Sequence, residues 1–148
     1  NDSDVSSLSS MYHAKTLVHR WYNPNVAGGD HLYTLSATEG TPHGYTLEDR
    51  DYFHVTSATG GYYATLYRCL VANHHYLSRD QYCEAGVPAE GPIGRVARSQ
   101  LGATMPLYRL RNPYSGDRLA TTNAAERSAA LSSGWVSEGI LGYVWPGT

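Results

Sequence analysis

The sequence predicts a mainly β fold: a pseudo-threefold, β-trefoil-like barrel of three repeats, with short helical turns inserted in the repeats. Three observations predict it. One string is written three times, as "GDHLYTLS" from Gly29, "NHHYLS" from Asn73 and "GDRLATTN" from Gly116. An arginine opens each copy, with Arg20, Arg68 and Arg109 spaced by 48 and 41 residues. A late element, Gly-x-x-x-Glu, recurs at Gly44/Glu48, Gly86/Glu90 and Gly134/Glu138, with both members spaced by 42 and then 48. Copies of about 40–50 residues that cannot bury an apolar face alone are the mark of a repeat architecture.

Each copy reads as the same series of elements. A short apolar and aromatic strand opens it, "LYRL" in the third copy. An Asn-Pro or Ser-Gly turn follows in copies one and three, and then a second strand, "HLYTL" or "RLATT". Next comes a helix-start pattern, Ser36-x-x-Glu39, Ser78-x-x-Gln81 and Asn123-x-x-Glu126, in which the first side chain caps and the fourth reaches back. The spacing therefore predicts a helical turn in every copy, longest in "NAAERSAALSSG", which closes at Gly134. The third copy finishes as "GWVSEGILGYVW", read as two short strands around Glu138-Gly139. The boundaries are a flexible arm over 1–16 and one domain over 17–148, with repeats at about 17–57, 64–98 and 105–146.

Composition narrows the function. The chain has 148 residues, 41% of them hydrophobic and 16% charged, which suits one globular domain with one core. Net charge is −2 and Lys15 is the sole lysine, so a phosphate-tracking surface, and with it nucleic acid, is excluded. No apolar run approaches the roughly 20 residues that span a bilayer, so membrane insertion is not expected. Thirteen Tyr and three Trp stand against one Phe. That balance suits half-wet surfaces that touch ligands, or the rims of a small β structure. Cys69 and Cys83 both fall in the middle copy, and a local disulfide between them is expected in an oxidising compartment. A loop of that size would contribute roughly 3 kcal/mol by chain entropy.

The repeat pattern, Leu-Tyr-Arg, Asn-Pro, Gly-Asp-His-x-Tyr-Thr and then Gly-Trp-x-x-Glu-Gly, resembles a repeat family of unknown function. That family occurs in secreted bacterial and fungal proteins and is often appended to extracellular hydrolases. Copy three matches almost throughout, with Arg118 and Ala120 departing from it, and copy two is degenerate. The resemblance implies an extracellular, secreted setting and, by analogy with appended modules, a lectin.

Candidate ligand-binding residues follow from the second strand of each copy. In Asp30, His31 and Tyr33, a carboxylate and an imidazole can bond sugar hydroxyls while a ring stacks on C–H faces. The structural alternative is a turn in which Asp bonds backbone and Tyr packs inward. Asn73, His74 and Tyr76 keep the polar-polar-aromatic order, Asp117 and Arg118 form an altered pocket, and Trp135 is the expected exposed platform. Glu48, Glu90 and Glu138 read as scaffold tied to Arg20, Arg68 and Arg109. Neither catalytic residues nor a cofactor are expected, because nucleophile-elbow and phosphate-loop patterns are absent. A metal is not expected either, since the seven His show no ligand spacing. The expected function is a secreted carbohydrate-binding protein whose partners are glycans or glycoproteins, with homo-oligomers compatible with such a module. The alternative is an inhibitor of an extracellular hydrolase or protease that presents the loop Thr38 to Asp51.

Overall fold

A computed structural model describes residues 15–147, and the expected arm over 1–16 lies almost wholly outside them. The fold is mainly β, with nine strands and one α-helix among the described residues. The strands are β1 (Lys15–Asn23), β2 (Asp30–Thr34), β3 (Thr46–Thr56), β4 (Tyr63–Val71), β5 (His74–Ser78) and β6 (Gly91–Ala97). They continue with β7 (Met105–Arg111), β8 (Arg118–Thr121) and β9 (Val136–Pro146), and helix α1 (Ala124–Ser132) lies between the last two.

Pairing repeats along the chain. β1 runs antiparallel to both β2 and β3, β4 to β5 and β6, and β7 to β8 and β9. The third strands meet one another through short contacts: Thr56 with Arg95, Ala97 with Tyr143, and Phe53 and His54 with Pro146 and Trp145. These brief contacts leave the sheet unclosed as a barrel, and each unit has three strands where four were expected. The fourth is missing because the expected turn at Glu138-Gly139 is a bulge within one strand. Gly139 takes φ 90°, the β7–β9 register slips between Tyr108 and Leu110, and the strand continues to Pro146.

Helical turns also differ between units. Asn123 caps α1, its side chain accepting the Ala125 and Glu126 amides as expected. Ser36 accepts the Thr38 and Glu39 amides, yet only a 3-10 turn at Thr41–His43 follows. In the second unit Asp80 bonds the Tyr82 and Glu84 amides and no helix forms. The sequence explains this: "NAAERSAALSS" supplies strong helix formers, whereas Thr41-Pro42-His43-Gly44 does not sustain a helix. Cys83 lies in the second unit's turn and is bonded to Cys69 on β4, with Cα atoms 5.7 Å apart. The segment Thr38 to Asp51 is this 3-10 turn followed by the first half of β3, rather than one irregular loop.

The core lies where the units meet. Val18, Leu66 and Leu107, each two residues before its unit's arginine, are buried together. So are Tyr33, Leu77 and Ala120, which face those arginines across the hairpins. A Cβ on Gly94 would come within 2.4 Å of Val55, and one on Gly142 within 2.4 Å of Val96, so glycine lets the third strands approach this closely. Among the described residues no helix is long and apolar enough to cross a membrane.

Candidate functional site

Hairpin register fixes which residues are equivalent. Arg20 faces Tyr33, Arg68 faces Leu77 and Arg109 faces Ala120. Counting back along each second strand, Asp30, His74 and Asp117 occupy one position, and His31, His75 and Arg118 the next. The second copy therefore carries a histidine where the other two carry aspartate. Matching Asn73 to Asp30 by string is one residue out of register.

Three arginines bind the units into a ring. Arg20 Nε is 2.9 Å from Glu48 of its own unit, while its two terminal nitrogens donate to Glu126 of the third, each at 2.8 Å. Arg68 pairs with Glu90 at 2.8 Å and donates to Glu39 of the first unit at 3.0 Å. Arg109 lies 2.9 Å from Glu138 and donates to Glu84 of the second unit at 2.6 and 2.7 Å. Each arginine thus holds its own late glutamate, as the scaffold reading expects, and one glutamate of the preceding unit. Burial disfavours the charge on Arg20, but the hydrogen bond to Glu126 and the nearby charges outweigh it, so its pKa is raised. Hydrogen bonds from Arg68 hold the Glu39 carboxyl down at about 2, and those from Arg109 hold Glu84 at about 2.

Beside this ring the same cleft is built twice. Between units one and two a cleft of about 410 Å³ is lined by Asn23, Tyr45, His75 and Glu90, among others. Between units three and one a cleft of about 230 Å³ is lined by Asn112, Trp135, His31 and Glu48 at the equivalent positions. In each, a histidine is strung between two carboxylates. His75 Nδ1 lies 2.6 Å from Asp30 and its Nε2 3.5 Å from Glu90; His31 Nδ1 lies 2.8 Å from Asp117 and its Nε2 3.5 Å from Glu48. Tyr45 donates to Asp30 at 2.6 Å, and burial together with that bond pushes its phenol up, so it stays neutral. Tyr45 and Trp135 are half-buried, with part of each ring open to solvent.

The third boundary, between units two and three, departs from this plan. Val71 stands at the Asn23 position, Val87 at the Tyr45 position and Arg118 at the His75 position. Arg118 bonds Glu138 at 2.8 Å and lies 4.2 Å from the centre of the Tyr76 ring. Tyr76 is buried and donates to the Cys83 carbonyl, so this space is filled from within. A larger opening of about 420 Å³ lies between β3, β4 and β6, but it gathers no carboxylate or imidazole.

Several residues singled out from the sequence lie in these clefts and others do not. Asp30, His31, Asp117 and Trp135 belong to them, Asp30 and Asp117 as fully buried anchors of the histidines. Tyr33 is 1% exposed, donates to the Ala120 carbonyl at 3.0 Å and accepts the Ala120 amide at 2.6 Å, so it offers no ring face to a ligand. Asn73 is exposed at the β4–β5 turn with φ 68°, and His74 lies at the meeting point of the second strands. Tyr45, His75, Asn23 and Asn112 were not singled out. The signal was present, since Gly44-Tyr45 matches Gly134-Trp135 and Asn23-Pro24 matches Asn112-Pro113, but each cleft joins residues of two copies. Reading copies one at a time cannot assemble it.

The sequence profile of a family described as a domain of unknown function (DUF5648) matches residues 4–87 and, overlapping that stretch, 78–148. No curated protein and no solved structure gives a significant match to the chain.

Proposed function

We propose a secreted carbohydrate-binding role for this chain, which belongs to that family of unknown function (DUF5648). The observation that carries the reading is the duplicated cleft. Equivalent positions on two unit boundaries supply an asparagine, a carboxylate, a histidine and an aromatic ring, each pair drawn from different units. Carboxylate, amide and imidazole groups suit the paired hydroxyls of a pyranose, and Tyr45 or Trp135 suits its C–H face. Two sites on one rigid body raise avidity for a glycosylated surface without requiring a tight single site. The Cys69–Cys83 bond supports an oxidising, extracellular setting. We further read the three units as copies of one ancestral ββ(α)β element around a trefoil-like pseudo-threefold axis.

The test is a broad glycan array with the wild-type chain and with Tyr45→Ala, Trp135→Ala and the double variant. A focused group of hits sharing one terminal sugar is expected. Each single variant should weaken binding roughly tenfold, the equivalent of about 1.4 kcal/mol, and the double variant should abolish it. A blank array on folded protein, or binding that survives the double variant, overturns the reading.

A further inference from the structure

We propose that Asp30, His74 and Asp117 form a binding site for one divalent transition-metal ion, of which Zn²⁺ is the best match, where the second strands of the three units converge. The three residues hold one equivalent position on β2, at the start of β5 and just before β8, so the repeat itself brings them together. One ligand atom from each lies within 4.8 Å of the others. Asp30 is 0%, Asp117 2% and His74 9% exposed.

The hydrogen-bond account of these groups does not close. His74 Nδ1 and Asp117 Oδ1 are buried and have no hydrogen-bond partner. Buried polar atoms are almost always paired, and two unpaired ones on residues of a single cluster call for a further partner there. His74 Nδ1 faces Asp30 Oδ1 at 4.0 Å, too far for a hydrogen bond. A tetrahedral ion with bonds of about 2.1 Å holds its ligand atoms about 3.4 Å apart, so a small inward movement of each side chain would complete the site. The imidazole lies against Gly116, whose φ of 83° favours glycine; a Cβ there would sit in ordinary contact, 3.4 Å from His74 Nε2.

The remaining carboxylate bonds act as an outer shell. Asp117 Oδ2 is held by His31 Nδ1 at 2.8 Å, and Asp30 Oδ2 by Tyr45 and the His75 ring, each at 2.6 Å. Asp30 Oδ1 accepts the His75 amide at 2.6 Å while keeping a second lone pair. Such partners fix the ligating carboxylates in orientation. One imidazole and two carboxylates, without thiolate, favour Zn²⁺ over the hard ions Ca²⁺ and Mg²⁺ and over the soft Cu⁺. Three protein ligands leave a fourth position for water. In the Nε2-protonated tautomer, His74 presents its Nδ1 lone pair to the ion.

The site is tested without any glycan, so its failure and that of the carbohydrate reading are separate. Chelator-stripped, folded protein is titrated with ZnCl₂ by calorimetry, with CaCl₂ and MgCl₂ in parallel. One Zn²⁺ per chain and a raised Tm are expected. His74→Leu and Asp117→Asn should each weaken Zn²⁺ by more than the roughly 10–100-fold that outer-shell losses cause. His54→Ala, a histidine bonded to the Pro146 carbonyl on another face, should bind as wild type. Co²⁺ added to the wild-type chain should give the visible absorption of a nitrogen–oxygen site, which decides the matter even if a variant unfolds. Absence of stoichiometric Zn²⁺, tighter binding of Ca²⁺ than of Zn²⁺, or unchanged binding by His74→Leu would overturn the assignment.

Discussion

Glu39 and Glu84 occupy the same role by different routes. Glu39 lies at the helix-start position of the first unit, whereas in the second unit Gln81 holds that position and Glu84, three residues later, reaches Arg109. Their carboxyls stand at about 2 in the folded chain against an ordinary 4.5. Between those values the unfolded chain holds more protons than the folded one, so stability is full above about pH 4.5 and falls as the pH drops toward 2. Urea melts from pH 7 to pH 2.5 should show this decline, and the double variant Glu39→Gln/Glu84→Gln should be less stable at pH 7 yet decline less steeply. Identical slopes would remove these two residues from the acid response. The Arg–Glu pairs within each unit were legible because an opening arginine and a late Gly-x-x-x-Glu recur in every copy. Inward packing of Tyr33 was one of its two readings, but its partner was hidden: the tyrosine of one copy fills the space beside the alanine of another, and that complementarity exists only between copies. Divergence at Tyr33, Leu77 and Ala120 therefore reflects core packing rather than loss of a ligand.

At the scale of elements, propensity and capping foretold the strands and α1, and failed where tertiary contacts take over. Gly139 reads as a turn in isolation, but the bonds of β9 to β7 carry the strand through it as a bulge. The second unit shows the opposite economy. Its turn has no helix and holds Cys83 and Glu84 at positive φ, 63° and 57°, a conformation that side chains resist. The disulfide to Cys69 and the Tyr76 bond to the Cys83 carbonyl hold that turn in place. Glu84 rides on it and supplies the partner of Arg109. Replacing both cysteines by serine should therefore cost about 3 kcal/mol, as a loop of this length predicts, and should also loosen the β4–β5 hairpin locally. Hydrogen exchange would reveal it as faster exchange at Tyr76 and Leu77 than at β1 or β7. A uniform change across all nine strands would mean that the bond acts only on the unfolded chain.

The whole molecule is closed by its arginines, and this closure sets both valency and stability. Two boundaries carry the histidine between carboxylates and the third carries Arg118, packed on Tyr76 and bound to Glu138. A glycan identified by the array should accordingly bind two per chain, and a titration giving three would show that the third boundary opens. Stability should follow how deeply each arginine is buried. The Arg20 side chain is 3% exposed, Arg109 6% and Arg68 17%. Truncating a buried member of an ion pair strands the partner charge and costs about 3–5 kcal/mol, whereas exposed pairs cost about 1 kcal/mol or less. Arg20→Ala should be the most destabilising, because Arg20 also joins the first unit to Glu126, 106 residues away, and closes the ring. Arg109→Ala should come close to it and Arg68→Ala should cost least, read as shifts in the urea midpoint at constant m. If Arg68→Ala were the most damaging of the three, burial would not be what ranks these bonds, and the ring would be held chiefly at the boundary between units one and two.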